Sequence, residues 1–436
     1  MLELLVRSSL EHHFPIWFWL KKLSPDKIRK VIVDAVKTAN SNGIKRIIDV
    51  LGKDGILVLD NLILKLNDPS KDVRRAIVES LGRLKDSRTI DYLIQRLSDP
   101  ESEVRDASVK ALGNFGTPKI LEIFTSQLDN PDWRIRKAAA DGLGLLKTPK
   151  SLESLFTKIN DPDSEVRKAV VTALGKLGNI KAQTPLIRRL KDSNAEVREA
   201  AAKALGELDS SLAVEDLLLC FNDKAWKVRE AAAISLGKLG DERALEPLLE
   251  IADDPDSEVR KAVAEALGNL HTPRTMQVLL DRLQEQDWWK KEVAAIALGN
   301  SGDQKVLELL LEGLDDPDWR IRAAMINGLK SLGISNTRVE EVLIERLQDP
   351  HEEVRRVTII TLGHLGTEKA LTPIISCLGD AHSQVREASA QTLGMIGTLE
   401  VLESLVHGLT DISEEVKNAC LMALQKIDER FYCKKV

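Results

Sequence analysis

A 31-residue unit returns along most of this 436-residue chain and constrains its fold more than any other feature. The clearest copy runs from Asp254 to Gly268, with Arg260 between them. Twelve copies of the basic residue align, with one slip of two residues before the tenth: Arg74, Arg105, Arg136, Arg167, Arg198, Arg229, Arg260, Lys291, Arg322, Arg355, Arg386 and Lys417. A fixed period of this size predicts a solenoid of stacked repeats rather than one closed domain.

Each copy reads as two helices. In the copy that begins at Asp161, this Asp is expected to cap the second helix, and Pro162 is expected at the first helical position. Apolar residues then follow at helical spacing: Val166, Ala169, Val170, Ala173, Leu174 and Leu177. Gly175 and Gly178 are expected to stop the helix. A further amphipathic segment, such as residues 244–251, precedes each Asp and predicts the first helix.

These residues resemble the HEAT repeat, in its short phycobilisome-lyase HEAT-like form, over residues 55–430. The resemblance implies an all-α solenoid of about twelve helix pairs, with the second helices lining a concave surface. It also implies a ladder of Asp and Arg residues that links successive repeats, and the positions that match it are Asp99, Arg105, Asp161, Arg167, Asp192, Arg198, Asp223, Arg229, Asp254 and Arg260. Asn130 and Glu285 replace the Asp in two repeats, and Lys330 and Gln425 replace the closing Gly in two others.

The repeats define the domain organisation. Residues 53–429 are predicted to form the solenoid, residues 1–52 an N-terminal helical cap or degenerate repeat, and residues 430–436 a tail. Segment Phe14–Leu20 contains two of the seven Trp residues. The sequence favours a cap over the end of the first repeat, and an exposed anchor for a partner or a membrane surface is the alternative.

Composition narrows the classes of function. With 62 basic and 68 acidic residues, a net charge of −6 argues against a dedicated nucleic-acid binder. The four Cys residues have no metal-binding or disulfide spacing, and Cys220 and Cys420 fall in apolar helical patterns. No stretch approaches the length of a membrane span, and the N-terminus does not have the pattern of a secretory signal. A cytoplasmic protein is therefore expected.

Trp residues cluster at one position of the repeat in the second half of the chain. Trp226, Trp288 and Trp319 all stand three residues before the ladder residue, as does Trp133 earlier in the chain. The predicted partner-binding patch comprises Trp226, Ile234, Trp288, Trp289, Ile296, Trp319 and Arg320. The alternative interpretation is that each Trp lies flat over the start of the neighbouring helix and closes a gap between repeats.

No catalytic constellation accompanies this pattern. The sequence has no phosphate-binding loop and no nucleophile motif, and a single His-Glu pair, His351 and Glu352, cannot supply a two-metal site of the deoxyhypusine hydroxylase type. No catalytic residue, metal or cofactor is expected.

Three functions remain open. The leading hypothesis is a non-enzymatic scaffold that binds a partner protein in its concave groove. The second, which the resemblance implies, is a bilin lyase subunit or a phycobilisome assembly or degradation factor that binds a phycobiliprotein or an open-chain tetrapyrrole. Nucleic-acid binding is third, because acidic residues alternate with basic ones along the predicted groove.

Overall fold

The computed structural model describes residues 33–37, 39–51, 59–270, 272–285, 287–366 and 368–431. Segment Phe14–Leu20, His271 and the tail residues 432–436 lie outside this part of the chain. The described residues are helical or form the connections between helices, and they contain no β-strand. They form an all-α solenoid of paired helices, which confirms the predicted fold. The chain divides into two compact units at the boundary between Ser210 and Ser211.

The first unit contains a helix before the repeats and five helix pairs. Its helices are α1 (Ser41–Leu51), α2 (Leu59–Leu64), α3 (Lys71–Leu84), α4 (Ile90–Gln95), α5 (Ser102–Gly113), α6 (Pro118–Gln127), α7 (Trp133–Leu146), α8 (Pro149–Phe156), α9 (Ser164–Leu177), α10 (Gln183–Arg189) and α11 (Ala195–Glu207). Residues 33–37 are also helical.

The second unit continues the same alternation. Its helices are α12 (Val214–Leu219), α13 (Trp226–Leu239), α14 (Leu245–Glu250), α15 (Ser257–Asn269), α16 (Pro273–Leu283), α17 (Trp288–Asn300), α18 (Leu307–Glu312), α19 (Trp319–Leu332), α20 (Thr337–Arg346), α21 (Glu352–Leu365), α22 (Leu371–Ser376), α23 (Ser383–Ile396), α24 (Leu402–Gly408) and α25 (Glu414–Phe431). In each pair the first helix is short and the second is longer.

The second helices of consecutive repeats pack against one another within each unit. In α9 the side chains of Val166, Val170 and Leu174 are fully buried, as their spacing predicts. Cys220, Cys377 and Cys420 are buried and form no disulfide. Because a single helix pair leaves an apolar face uncovered, the core is continuous from repeat to repeat.

The start of the second helix differs from the sequence prediction by two residues. Asp163, not Asp161, caps α9: its Oδ1 accepts the backbone N–H groups of Glu165 at 2.9 Å and Val166 at 3.3 Å. Asp161 closes the turn before the helix by accepting the N–H of Asp163 at 3.0 Å. Pro162 therefore precedes the cap instead of occupying the first helical position. The first turn of a helix does hold Pro in other places, at Pro118, Pro149 and Pro273.

In α9, the Gly residue that closes the sequence unit does not stop the helix. Gly175 lies inside α9, where a Cβ atom would come within 2.8 Å of Ala204 Cβ in the next repeat. Its role is to let two helix backbones approach closely. The helix ends at Gly178, whose φ of 64° is left-handed. Lys330, which replaces the closing Gly, likewise lies inside α19, and that helix ends normally at Gly333.

None of the described helices combines the length and the apolar character that crossing a bilayer requires.

Candidate partner-binding surface

A ladder of Arg and Asp side chains fixes the start of each second helix. Arg167 donates from Nε and Nη2 to the two carboxylate oxygens of Asp192 in the next repeat, both at 2.9 Å. Its Nη1 donates to the carbonyl oxygen of Asp161 at 2.9 Å, in the turn of its own repeat. One guanidinium thus joins two turns through hydrogen bonds to a charged and a neutral acceptor.

The same geometry recurs across repeat boundaries inside each unit. The two-bond pairs are Arg74–Asp99, Arg136–Asp161, Arg167–Asp192, Arg229–Asp254, Arg322–Asp349, Arg355–Asp380 and Arg386–Asp411. Lys291 makes the corresponding ion pair with Asp316 at 3.6 Å. The ladder positions therefore form inter-repeat contacts, with the side-chain bond running from the basic residue to the Asp of the following repeat.

The side-chain bonds do not join the Asp and the Arg of one repeat. Asp99 binds the side chain of Arg74, whereas Arg105 reaches Asp99 only through its carbonyl oxygen, at 2.7 Å. Arg198 likewise donates to the carbonyl oxygen of Asp192 at 2.8 Å. Asp223 accepts the backbone N–H of Ala225 at 2.9 Å, which places it in the usual turn.

Two steps of the ladder lack a carboxylate partner, and they are the two that the sequence marks. Arg105 faces a repeat in which Asn130 replaces the Asp, and Arg260 faces Glu285, whose carboxylate binds Lys290. Within the described residues, Arg105 and Arg260 donate only to carbonyl oxygens of their own turns. These junctions therefore have one ion pair less than their neighbours.

The ladder also sets the charge state of its members. The hydrogen bond to Asp192 raises the pKa of the Arg167 guanidinium. Burial acts to raise the pKa of Asp192, but hydrogen bonds from Arg167 and from the N–H of Asn194 outweigh it and bring the pKa below its ordinary value. Both groups are charged at neutral pH, so the ladder is ionic.

The clustered Trp residues occupy the first position of second helices. Trp226, Trp288 and Trp319 begin α13, α17 and α19, and Trp133 begins α7. Trp226 is 37% exposed, and the other three are partly exposed. The indole at each of these helix starts is therefore partly accessible to solvent.

Four planar side chains in the second unit form what we call the stacked row: Trp288, Arg320, Trp319 and His351. The Arg320 guanidinium carbon lies 5.1 Å from the centre of the Trp288 ring and 5.9 Å from that of Trp319. Trp319 stacks on His351 with ring centres 3.8 Å apart and an angle of 6° between planes. Because His351 caps α21 through its Nδ1, Trp319 covers the start of the next helix. This contact matches the alternative interpretation of the Trp positions.

Trp226 is arranged differently. Its ring lies near Lys227, with Nζ 5.6 Å from the ring centre, and α15, the second helix of the following repeat, begins with Ser257 instead of an aromatic residue. Trp289 has a similar local cation, Lys290, at 5.4 Å. Trp226 is therefore the most exposed indole among the aligned Trp residues, and it is the one best placed to contact another molecule.

Ile234 and Ile296 are partly exposed, as expected for residues outside the buried face. Each stands on one helix face with a Trp and a Glu, at spacings of four. We call these residues the Trp-Glu-Ile stripes: Trp226, Glu230 and Ile234 on α13, and Trp288, Glu292 and Ile296 on α17. The two stripes and the stacked row, which shares Trp288 with one of the stripes, contain every residue of the predicted patch except Trp289.

Two residues of this surface, His351 and Glu292, are not part of the patch that the sequence predicts. His351 stacks on Trp319 and completes the stacked row. The described part of the chain contains no group of potential metal ligands. Glu292 is half-buried beside Trp288, where burial raises its pKa, Arg260 and Lys261 oppose that shift, and Glu353 adds to it. The repeated spacing of Trp, Glu and Ile is the sequence signal that identifies Glu292.

The repeats of this chain match a known family of protein sequences. A sequence model described as HEAT repeats matches residues 59–133, 121–206, 152–225, 184–268, 214–295, 276–339 and 340–425. Among curated proteins, none matches the sequence of this chain.

Several solved structures are similar to this chain. Kap95p, in a structure of its complex with RanGDP, aligns with a TM-score of 0.52 and 14% identity over 98% of this chain and 70% of the other. Yeast importin-β (Kap95p) by itself aligns with a TM-score of 0.50 and 13% identity over 97% and 70%. The CpcE–CpcF phycocyanin lyase complex of Nostoc sp. PCC7120 gives a TM-score of 0.33 and 22% identity over 51% and 92%. At these identities, the likeness to importin-β concerns the fold alone.

Proposed function

Because this chain belongs to the HEAT-repeat family, we propose that it is a protein-binding scaffold whose second unit holds the partner through the Trp-Glu-Ile stripes and the stacked row. The observation that carries the proposal is the alignment of Trp226, Trp288 and Trp319 at the first position of their helices. Trp is the residue type that most often anchors protein interfaces, since it buries a large area with little loss of side-chain freedom.

The distribution of charge supports the same face. In the first unit, two of the residues after a ladder Arg form an ion pair with the next repeat, Lys137 with Glu165 at 3.1 Å and Lys168 with Glu196. Such exposed pairs contribute little and keep the surface hydrated. In the second unit, the stripes place Ile234 and Ile296 where the first unit has Lys110 or Asp141. A face with partly exposed Trp and Ile side chains is better suited to binding a protein.

Affinity capture from a native lysate tests the proposal. The wild-type chain is expected to retain a protein that mass spectrometry identifies, and Trp226→Ala is expected to lose most of it. Trp133→Ala, a change at the same helix position in the first unit, is the matched control and should retain the partner. Circular dichroism verifies that all variants fold. Equal capture by wild type and by the triple variant Trp226→Ala, Trp288→Ala and Trp319→Ala would contradict the proposal.

A phycobiliprotein or a free bilin is the other partner that the sequence leaves open, and the same eluate distinguishes it. A visible absorbance band that disappears in the triple variant would replace the scaffold proposal with the tetrapyrrole-related one. A colourless protein lost in that variant supports the scaffold. Mixing the purified chain with phycocyanobilin and recording the visible spectrum gives an independent measurement.

A further inference from the structure

One carboxylate on the proposed partner-binding face forms no ion pair within the described residues. Glu292 lies in the middle of its stripe on α17, between Trp288 and Ile296. Its side chain is half-buried, and within the described residues its carboxylate makes no hydrogen bond and no ion pair. A carboxylate that is removed from water without a partner costs free energy, and the cost falls if a cation binds there.

Lys290, two residues before Glu292, and the two cations whose charges act on Glu292, Arg260 and Lys261, make their contacts elsewhere. Lys290 binds Glu285 at 2.5 Å and Asp287 at 3.3 Å. Lys261 binds Glu258 at 2.8 Å. Arg260, whose charge also acts on Glu292, donates to the carbonyl oxygens of Asp254 and Pro255. Within the described residues, none of these three cations forms an ion pair with Glu292, so its carboxylate can accept a charge from outside the chain.

The first unit shows what is missing at this position. At two places there, the residue after the ladder Arg pairs with the Glu two places before the next ladder Arg: Lys137 with Glu165 and Lys168 with Glu196. In the second unit, Glu292 is the residue after a ladder residue, and Arg320 stands two places before the next ladder residue. Arg320 instead pairs with Asp318 at 3.0 Å and lies over the Trp288 ring. The inter-repeat ion pair that Arg320 could form with Glu292 is therefore absent.

Trp288 itself shows which chemistry the site accepts. Its ring already holds the Arg320 guanidinium at 5.1 Å, a distance typical of a cation–π interaction. Glu292 stands one helical turn further along the same face, and Ile296 one turn beyond it. An indole, a carboxylate and an aliphatic group in line suit a cationic side chain that has apolar neighbours.

We propose that the Trp288-Glu292-Ile296 stripe binds an arginine or lysine side chain of the partner protein, within an extended segment that carries apolar residues beside it. The inference deepens the proposed function and rests on it, since it assumes that this face is the one that holds the partner. The negative formal charge of the chain, −6, also favours a basic partner.

A short labelled peptide with the central sequence Leu-Arg-Leu between Gly and Ser residues is the probe, and NMR of the Trp indole N–H groups is the readout. The Arg peptide is expected to shift the Trp288 signal. The same peptide with citrulline in place of Arg keeps the shape without the charge, and it is expected to bind about tenfold more weakly or worse. Equal binding of the two peptides overturns the inference.

Three variants locate the interaction. Glu292→Gln should weaken the Arg peptide about tenfold, because the charge pair is lost. Glu265→Gln removes an equal charge from an exposed site in the preceding repeat and should change binding less than about twofold. Arg320→Ala should tighten binding, because it frees one face of Trp288. Equal effects of Glu292→Gln and Glu265→Gln would indicate general electrostatic attraction and reject the site.

Affinity capture separates this inference from the proposed function. If Trp226→Ala loses the lysate partner while Glu292→Gln retains it fully, the scaffold proposal stands and the cation site is rejected. If both variants capture as wild type does, both proposals fail.

Discussion

Arg229 and Asp254 are joined by two hydrogen bonds across the boundary between consecutive repeats, with Nε to Oδ2 at 2.6 Å and Nη2 to Oδ1 at 2.8 Å. Asp254 is buried, with 8% of its surface exposed, and it also accepts the N–H of Asp256 at 2.9 Å. Arg260 occupies the same position one repeat later but faces Glu285, with which it forms no ion pair in the described structure. A comparison of Arg229 with Arg260 therefore measures what the inter-repeat ion pair contributes to stability.

Replacing Arg229 by Ala should lower the free energy of unfolding by about 2–3 kcal/mol, because the buried carboxylate of Asp254 loses its partner. Arg260→Ala removes the same bonds to turn carbonyl oxygens but no inter-repeat ion pair, so its effect should be clearly smaller. Urea unfolding of both variants, with native-state hydrogen exchange at the two junctions, measures the difference. Equal destabilisation would show that the ion pair contributes nothing beyond the turn contacts.

Asn130→Asp should stabilise the junction that follows Arg105. Asn130 Oδ1 already accepts the N–H of Asp132 at 3.0 Å, as the ladder Asp residues do in their turns, so a carboxylate fits the same backbone. The new ion pair with Arg105 should contribute about 1 kcal/mol. Urea unfolding measures it, and a double-mutant cycle with Arg105→Ala isolates the pair. A gain that persists without Arg105 would contradict the explanation.

Gly299→Ala should be strongly destabilising. A Cβ atom there would lie 2.2 Å from the carbonyl oxygen of Gly328 in the next repeat, so the two helices would have to separate. Overpacking of this kind costs about 1–3 kcal/mol or more. Gly379→Ala is the control, since a Cβ atom at that position meets nothing within 4 Å. Thermal unfolding of the two variants checks the prediction, which fails if their melting temperatures agree.

Asp141→Asn should stabilise the protein at neutral pH but not in acid. Burial raises the pKa of Asp141 to about 6, and Lys137 only partly opposes this. Because the folded pKa exceeds the ordinary value of 3.8, the folded state binds more protons between about pH 4 and pH 6, and stability is lost as pH rises through that window. The gain from Asn should thus grow from pH 4 to pH 7.

Melting curves across this pH range give the measurement, and Asp91→Asn, a change of an exposed carboxylate in the preceding repeat, gives the control. A gain of equal size at every pH would mean that burial of the charge is not the cause.

The period of the sequence was sufficient to predict the architecture, because apolar spacing and repeat length determine which faces must be buried. It located the ladder positions and the two junctions without a carboxylate. The predicted cap was displaced by two residues because Asp161 has two functions: it closes a turn, and it binds Arg136 of the preceding repeat. A residue type that favours helix capping does not cap the helix when a stronger partner in the preceding repeat binds its side chain.

The position of Gly175 was predicted, but its role was not. Gly is typical of helix ends, so its pattern indicated a stop, whereas the packing of Ala204 against it requires a residue without a side chain inside the helix. The contact of Trp319 with His351 also could not be predicted from the sequence. It depends on the exact rotation of one helix relative to the next, which periodicity does not specify.

The direction of the Arg–Asp bonds has a consequence for how such a chain can change length. Each repeat extends a guanidinium toward its successor and offers a carboxylate to its predecessor, as Arg167 and Asp161 do. A tandem duplication of one complete 31-residue stretch of coding sequence would therefore yield a copy that is complementary to both neighbours without further mutation. Asn130 and Glu285 mark the junctions at which this interchangeability has been lost.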